Sequence, residues 1–547
     1  MNFIPYSELQ SDTTGFSHLF VDYVTNYSKV KDFYDGDFKD QKVWQLKLES
    51  VTKRSVDRSL LVQTLLNQNR DYHCGVKTLA NIDLLLNENT VAVITGQQVG
   101  LFGGPLYTLY KIITVLKLSE QLSQRFPEYN FVPIFWLEGE DHDIEEVSSV
   151  SFITASNELH QLNYEYEKKS HDKHYGAVGE IHFSESIALL FDELKKQLLP
   201  SEYSDSVINL FSTAYQKGMT FGKSFIHLFN VLLEDSGLIF FDPHNSSTKK
   251  LLIPLFEQEL INISRTCQIV INQSEKLEQY YHAQIKPKPV NLFFFYQGGR
   301  YALEPRSNTF TLKGTRKSFT IDEMKEFLYS DPNLFSPNVV LRPICQDLIF
   351  PTISYIAGPS EISYFAQLKL LYDVHNIPEP IIYPRSSATI IEDRIQKVID
   401  KYQLSPLNFF GNIDLLKNKV LESISDFKIE ELFADTFGTV SESLTSIKDG
   451  LATIDSTLIP AMETTLSKMQ TSLNILKEKT ITAQKRQHDI SLRQLDKVSL
   501  HIFPNSNLQE RELNIIYFLN KYGLEFLRWL REELAVDKFM HQLVNLD

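Results

Sequence analysis

Four short, uninterrupted apolar runs, and a fifth candidate run, each give way at once to polar or glycine-rich sequence. The runs are Val91-Ala92-Val93-Ile94, Val132-Pro133-Ile134-Phe135-Trp136-Leu137, Leu238-Ile239-Phe240-Phe241 and Pro380-Ile381-Ile382-Tyr383, with Ile353 to Ile356 as the fifth. A strand that is apolar at successive positions, and not only at alternate ones, is covered on both faces, as in a parallel sheet held between helices. Leu106, Leu109, Ile113 and Leu116 supply the stripe of a helix after the first run. The expected fold class is therefore α/β. In such sheets ligands bind beyond the carboxyl ends of the strands, so the residues just after each run matter most.

Composition bounds the rest. At roughly 150 residues per domain, 547 residues imply about three or four structural units. With 43% hydrophobic and 22% charged residues the chain has enough apolar material for large cores, which excludes disorder as a whole. A formal net charge of -15 argues against nucleic-acid binding, which needs basic stripes to displace counterions, but leaves room for a small anion in a local pocket. The first residues show no basic stretch leading into an apolar run, and no apolar run approaches the roughly 20 residues that span a bilayer. Cys74, Cys267 and Cys345 are few, odd in number and far apart, and no cationic cluster adjoins them. The chain reads as cytoplasmic, without membrane or nucleic-acid partners.

Four regions are expected. Residues 1–90 are mostly helical, with Val43, Leu46 and Leu48 in one stretch and Leu60, Leu61, Leu65 and Leu66 in another. Residues 91–412 form the α/β core, interrupted by insertions near 147–235 and 243–335. The first insertion opens on alternating sequence over 147–165. The second contains an antiparallel meander over 290–313, with turns at Gln297-Gly298-Gly299 and Pro305-Arg306-Ser307-Asn308. In 413–503, Leu451, Ile454, Leu458, Met462, Leu466, Met469, Leu473 and Leu476 recur in steps of three and four, the spacing of a coiled-coil seam. Pro460 should kink that helix. An antiparallel hairpin closing on itself and an arm pairing with a second chain fit the pattern equally. Residues 504–547 hold an aromatic cluster, Tyr517, Phe518, Tyr522 and Trp529, that packs back on the body.

The strand-end segments carry the candidate chemistry. After the first run, Gly96, Gly100, Gly103 and Gly104 precede Pro105, an arrangement that suits an anion site at a helix start, or else a tight structural turn. It matches neither a dinucleotide fingerprint nor a Walker loop. After the second, Glu140-Asp141-His142-Asp143 sets three carboxylates around an imidazole. Such a group can bind a divalent ion, perturb a carboxyl pKa or orient a general base, and a solvated helix cap is the plain reading. Asp242-Pro243-His244-Asn245 comes after the third run. Glu361, three residues after Gly358, is a cleft carboxylate or a cap. Arg385, after Pro384, and Arg342 are suited to clamping a carboxylate or phosphate, or to plain ion pairs. Gly218 to Ser224 is one residue short of a P-loop and reads as a helix start. His171-Asp172-Lys173-His174 reads as an exposed loop.

Several segments together resemble one family, the cysteine ligases of bacillithiol biosynthesis (BshC). They are Thr95 to Lys111, which includes Gln97, Gln98 and Tyr107, then Pro133 to Asp143, Val339 to Pro343, Ile356 to Tyr364, Pro384-Arg385 with Thr389 and Glu392, and Asn514 to Gly523. The resemblance implies a Rossmann-like core with connecting-peptide insertions, similar to class I aminoacyl-tRNA synthetases, and a coiled coil that forms a homodimer. It also implies addition of cysteine to glucosaminyl malate. The His-Ile-Gly-His and Lys-Met-Ser-Lys-Ser signatures of those synthetases are absent, and the segments at Gly96 and Pro384 lie where they would stand. Because a carboxylate is a poor electrophile, amide formation implies activation by a nucleoside triphosphate, with ATP the first candidate. A divalent metal is left open and no metal ligands are assigned.

On this reading His142, Asp141, Glu140 and Arg385 are the catalytic candidates. Gly96, Gln97, Gln98, Gly100, Gly103, Gly104, Tyr107, Gly358, Glu361 and Arg342 bind substrate or nucleotide. A nucleotidyltransferase-like enzyme acting on another acceptor is the second reading. A non-catalytic coiled-coil scaffold is the third, and it has no need of five polar strand ends.

Overall fold

The computed structural model describes residues 2–10, 14–166, 176–424 and 428–546. The His171-Asp172-Lys173-His174 segment lies outside the described residues. The chain divides into two compact units, one of residues 1–390 with 507–544, the other of residues 391–506 with 545–547.

The first unit is built on a five-stranded parallel sheet. Its spatial order is Ile381–Pro384, Thr352–Ala357, Thr90–Gln98, Asn130–Glu138, Ile239–Phe241. All five expected strands are present. Val91, Ala92, Val93 and Ile94 are each 0% exposed, so both faces of the sheet are covered, and burying a side chain of the size of valine or isoleucine contributes about 1.5–3 kcal/mol. The chain lays down two strands outward from Thr90–Gln98, then returns to place Thr352–Ala357 on its other side. That reversal is a topological switch point, where a parallel sheet opens a crevice between diverging connections. The helix Leu106–Arg125 crosses behind the switch with buried residues on every turn, and it ends before Pro127, which cannot continue it. Pro105 stands at its N-cap, one position earlier than the first-turn placement expected.

The helices Gln41–Thr52, Arg58–Asp71 and Val76–Leu84 account for much of the helical N-terminal region. One strand there has no counterpart among the expectations: Asn2–Ile4 pairs antiparallel with the C-terminal strand, Asn2 opposite Leu543 and Ile4 opposite His541. The first insertion carries the hairpin Ser149–Ile153 with Leu159–Asn163. The expected meander is Leu292–Tyr296, Gly299–Arg306 and Thr309–Leu312. Its second turn is tighter than expected, because Pro305 and Arg306 stay in the strand and Ser307 takes a positive φ of 50°. Ser318–Thr320 and Phe335–Pro337 extend this sheet to five strands. Tyr517 and Phe518 are buried in the helix Ile516–Tyr522.

The second unit is helical. Its longest member, Leu458–Gln487, has 30 residues, about 45 Å at 1.5 Å per residue. Lys477 Nζ lies 2.5 Å from Glu430 Oε2, tying it to the helix Ile429–Ser446. The interruption expected at Pro460 falls just before it. Lys448–Ile454 ends at Asp455, and Pro460 sits in the first turn of the next helix, where its missing N–H has no intrahelical partner to lose. Within this unit Ile454, Ile475, Leu476 and Leu432 remain exposed, Ile454 at 79%. Among the described residues no helix is long and apolar enough to cross a membrane.

Candidate active site

A cavity of about 580 Å³ opens at the carboxyl ends of the strands, at the switch point. Gly96 and Gln97 come from the first strand, Trp136 and Glu138 from its neighbour, and Tyr355 from the strand on the other side. Gly358 stands just past the end of that same strand, and Arg385 just past the end of a fourth, Ile381–Pro384. His142, Asp141, Glu140, Gln98, Tyr107, Glu361 and Arg342 also line it, so residues far apart in the chain share a single opening. Gly100 and Gly104 do not reach this cavity. They line an adjoining one of about 260 Å³ that shares Gln97, Gln98, Tyr107, Glu146 and Arg511 with it. Gly103 reaches neither, since a Cβ there would meet Phe229 at 3.1 Å.

The glycine turn holds itself together with its own amides. Gly100 N donates to Gln98 O at 2.9 Å, Gly103 N to Gly100 O at 3.1 Å, and Gly104 N to Leu101 O at 2.9 Å. Gly104 has a φ of +74°, a conformation that favours glycine. The glycine donors are spent inside the turn, and at the start of the following helix, where free amides were expected, Leu106 N donates to Leu513 O at 2.9 Å and Thr108 N to Pro105 O at 2.9 Å. Lys111, one helical turn beyond Tyr107, takes their place as the positive group. Its buried Nζ donates to Gly96 O at 2.8 Å and Gln97 Oε1 at 3.0 Å, and lies 2.5 Å from Glu361 Oε2.

The Glu-Asp-His-Asp segment does not act as one cluster. Glu140 is buried against Lys249 Nζ, with His244 Nδ1 at 3.2 Å; burial would raise its pKa, but Lys249 and His244 hold it below the ordinary value. Asp141 accepts from Gln98 Nε2 at 2.9 Å, and Arg300 Nη1 lies 3.3 Å away. Burial opposes ionisation here too, yet the hydrogen bond from His142 and the Arg300 charge keep the carboxyl well below the usual carboxylate range. Asp143 does not line the cavity and caps the short helix Ile144–Val147, accepting from Glu146 N at 3.3 Å. The expected cap is thus present, but at one residue of the four. Among the described residues no group of three or more His, Cys, Asp or Glu side chains is placed to hold a metal.

Two glycines pin this segment. Gly179 N donates to Gly139 O at 2.8 Å, Val178 N donates to Asp141 O at 2.8 Å, and a Cβ on Gly179 would meet Gly139 Cα at 2.9 Å. Arg300, from the meander, closes the wall. Its Cζ lies 3.8 Å from the Phe293 ring centroid, and it donates to Ser336 Oγ at 2.9 Å and Pro337 O at 3.1 Å.

On the opposite wall, Glu361 caps its own helix, accepting from Gly358 N at 2.6 Å, and accepts from Tyr355 OH at 2.8 Å. Capping and cavity lining are both true of it. Burial would raise its pKa, and Lys111 lowers it. Arg385 is buried in an ion pair with Glu510, while Arg342 Nε lies 3.1 Å from Glu138 Oε1. Sequence reasoning missed Glu138, Lys111, Arg300 and Arg511 as site residues, although all four line the cavity. Strand parity points to Glu138: it shares a face with Trp136, two residues before it. Arg300 and Arg511 carry no local signal, because an insertion and the C-terminal segment bring them in. The cysteines take no part. Burial pushes Cys74 up to about 11 and raises Cys267 and Cys345 as well.

Comparison with known proteins bears on this site. The family model "Bacillithiol biosynthesis BshC, N-terminal Rossmann-like domain" matches residues 4–386, and "Bacillithiol biosynthesis BshC, C-terminal coiled-coil domain" matches residues 388–546. A protein named "Putative cysteine ligase BshC" from Salinibacter ruber is 37% identical over 97% of this chain and 97% of its own. One of the same name from Chloroherpeton thalassium is 35% identical over 99% of each. A solved structure described as a putative arginyl tRNA synthetase from Campylobacter jejuni covers 88% of this chain and 98% of its own at 12% identity, with a TM-score of 0.22, too low to bear on the fold. With both family models matched end to end and relatives this similar over nearly the whole length, the chain belongs to the BshC family of bacillithiol biosynthesis.

Proposed function

We propose that this protein is an amide-forming ligase that joins the carboxyl group of cysteine to the amine of glucosaminyl malate. The observation that carries the reading is the charge pattern of the cavity. Lys111, Arg300, Arg342, Arg385 and Arg511 line it together with Glu138, Glu140, Asp141, Glu146 and Glu361, and Lys111 pairs with Glu361, Arg300 with Asp141 and Arg342 with Glu138. A wall of interleaved charges suits ligands that carry both signs, such as a zwitterionic amino acid and an amino sugar bearing carboxylates. The names of the relatives support cysteine as one substrate. A nucleoside triphosphate, ATP first, would supply the activation that an unreactive carboxylate lacks, and cationic side chains of this cavity fit an anionic guest.

Arg342, Arg385 and Lys111 hold carboxylates on one wall. His142 and Asp141 orient the amine on the other, where the strongly acidic Asp141 serves as a fixed negative charge and not as a proton acceptor. The exposed apolar residues of the helical unit support a homodimer formed through that arm. Purified protein is incubated with cysteine, glucosaminyl malate and each nucleoside triphosphate, and the coupled thiol is detected by mass. Product that depends on all three components is expected, with His142→Ala and Arg385→Ala folded but impaired. Nucleotide consumption indifferent to cysteine would favour the nucleotidyltransferase reading.

A further inference from the structure

Five carboxylates line the cavity, and Asp141 and Glu361 are engaged at both oxygens. Lys249 and His244 both meet Glu140 at Oε1, and its side chain is only 9% exposed. Asp141 accepts from Gln98 and its neighbour's amide and faces Arg300. Glu361 is held by Lys111, the Gly358 amide and Tyr355. Glu138 differs. It is the last residue of the strand Asn130–Glu138, its side chain is 28% exposed in a cavity-lining position, and Arg342 engages only Oε1. Among the described residues its second oxygen has no hydrogen-bond partner. Arg342 is itself oriented by Gln346 Oε1 at 3.0 Å and Tyr364 OH at 3.3 Å, so the carboxylate is aimed without being consumed.

We propose that Glu138 is the catalytic base of the amide-forming step, a role that rests on the ligase reading. Its carboxylate takes one proton from the ammonium group of the amino sugar. The freed nitrogen lone pair forms the C–N bond to the activated cysteine carboxyl. The bond from that carbon to its phosphate-class activating group breaks, and the electron pair departs with the leaving group. The second proton lost by nitrogen passes to solvent.

The groups facing Glu138 suit this task. Arg342 stands on the helix Arg342–Ile349, Tyr355 on the neighbouring strand, Glu361 and Tyr364 on the helix Pro359–Phe365, Asp141 and Glu140 on its own segment, and Arg300 on the meander. Burial raises the Glu138 carboxyl, Arg342 opposes that, and the three neighbouring carboxylates add to it, leaving it at about 7. A base of that strength can both accept and release a proton near neutrality.

The test uses the full chain with cysteine, glucosaminyl malate and ATP, measuring kcat and KM for coupled thiol between about pH 5.5 and 9. Wild-type kcat is expected to rise with pH through an inflection near 7. Glu138→Gln should lose about 10²–10⁴-fold in kcat and lose that inflection, with KM changed by less than about threefold. Glu138→Asp, which keeps a carboxylate, should recover part of the rate and the inflection. It decides the matter if the Gln variant does not fold: unchanged kcat in the Asp variant overturns the role. A folded Glu138→Gln with wild-type kcat and inflection overturns the role of Glu138 and leaves the ligase reading standing. Wild-type protein that makes no coupled thiol overturns the ligase reading itself, and the proton transfer with it.

Discussion

Arg385 donates through Nη2 to Glu510 Oε1 at 2.7 Å, and the two side chains are 5% and 0% exposed. Arg385 Nη1 donates to Ser386 O at 2.8 Å, while Glu510 Oε2 accepts from Ser387 Oγ at 2.9 Å and Ala388 N at 2.8 Å. The C-terminal segment therefore sets the angle at which a guanidinium meets the cavity. Glu510→Gln leaves Arg385 buried without its counter-charge, and a loss of about 3–5 kcal/mol is expected by denaturant unfolding. A loss under about 1 kcal/mol would mean that Arg385 finds another anion.

The contact between Gly139 and Gly179 leaves no room for a methyl group, since the added Cβ would stand 2.9 Å from Gly139 Cα. Gly179→Ala must push two backbones apart, at a cost of about 1–3 kcal/mol. The Val178 amide would be drawn off Asp141 O, so coupling activity should fall along with the melting temperature. Stability loss with full activity would show that the segment tolerates displacement.

Arg300 spends its planar fork on Ser336, Pro337 and Asp141 together. Lysine carries the charge but cannot make three divergent contacts, so Arg300→Lys is expected to lose about 1.5–3 kcal/mol. Arg300→Gln, which removes the charge as well, should let the Asp141 carboxyl titrate at higher pH, and a carboxylate infrared band shifted upward in pH relative to wild type checks this.

Glu379 gives a pH signature in stability. Burial pushes its carboxyl from 4.5 up to about 8, with Lys47 only partly opposing. Between those values the unfolded chain has released its proton and the native protein still holds it. Stability therefore falls as pH rises through this window and levels off above it. Glu379→Gln removes the titration, so melting temperature against pH should decline less steeply in the variant than in wild type. Parallel curves would contradict the assignment.

The strands of the parallel sheet were legible because burial on both faces forces Val91 to Ile94 and Val132 to Leu137 to be apolar throughout, a pattern that needs no tertiary information. The glycine turn was legible as a turn but not as a self-satisfied one, since the destination of an amide depends on φ values such as the +74° at Gly104. The hairpin-rich insertion announced itself at Gly298-Gly299, yet nothing local showed that Arg300 would cross to Asp141. Asn2–Ile4 was invisible for a similar reason: three residues carry no periodicity, and the partner strand lies at the other end of the chain. Glu138 stands within the segment Pro133 to Asp143, but the run of charges just after it is the louder local signal, and an oxygen left to spare shows only in three dimensions.

The order in which the sheet is laid down bears on how this protein is made. Thr90–Gln98 gains one neighbour soon after synthesis, from Asn130–Glu138, but its other edge waits until the ribosome has delivered Thr352–Ala357. At about 5–20 residues per second, a bare apolar edge persists for many seconds. A nascent chain of this kind should lean on chaperones, and should aggregate when synthesis stalls between those two points.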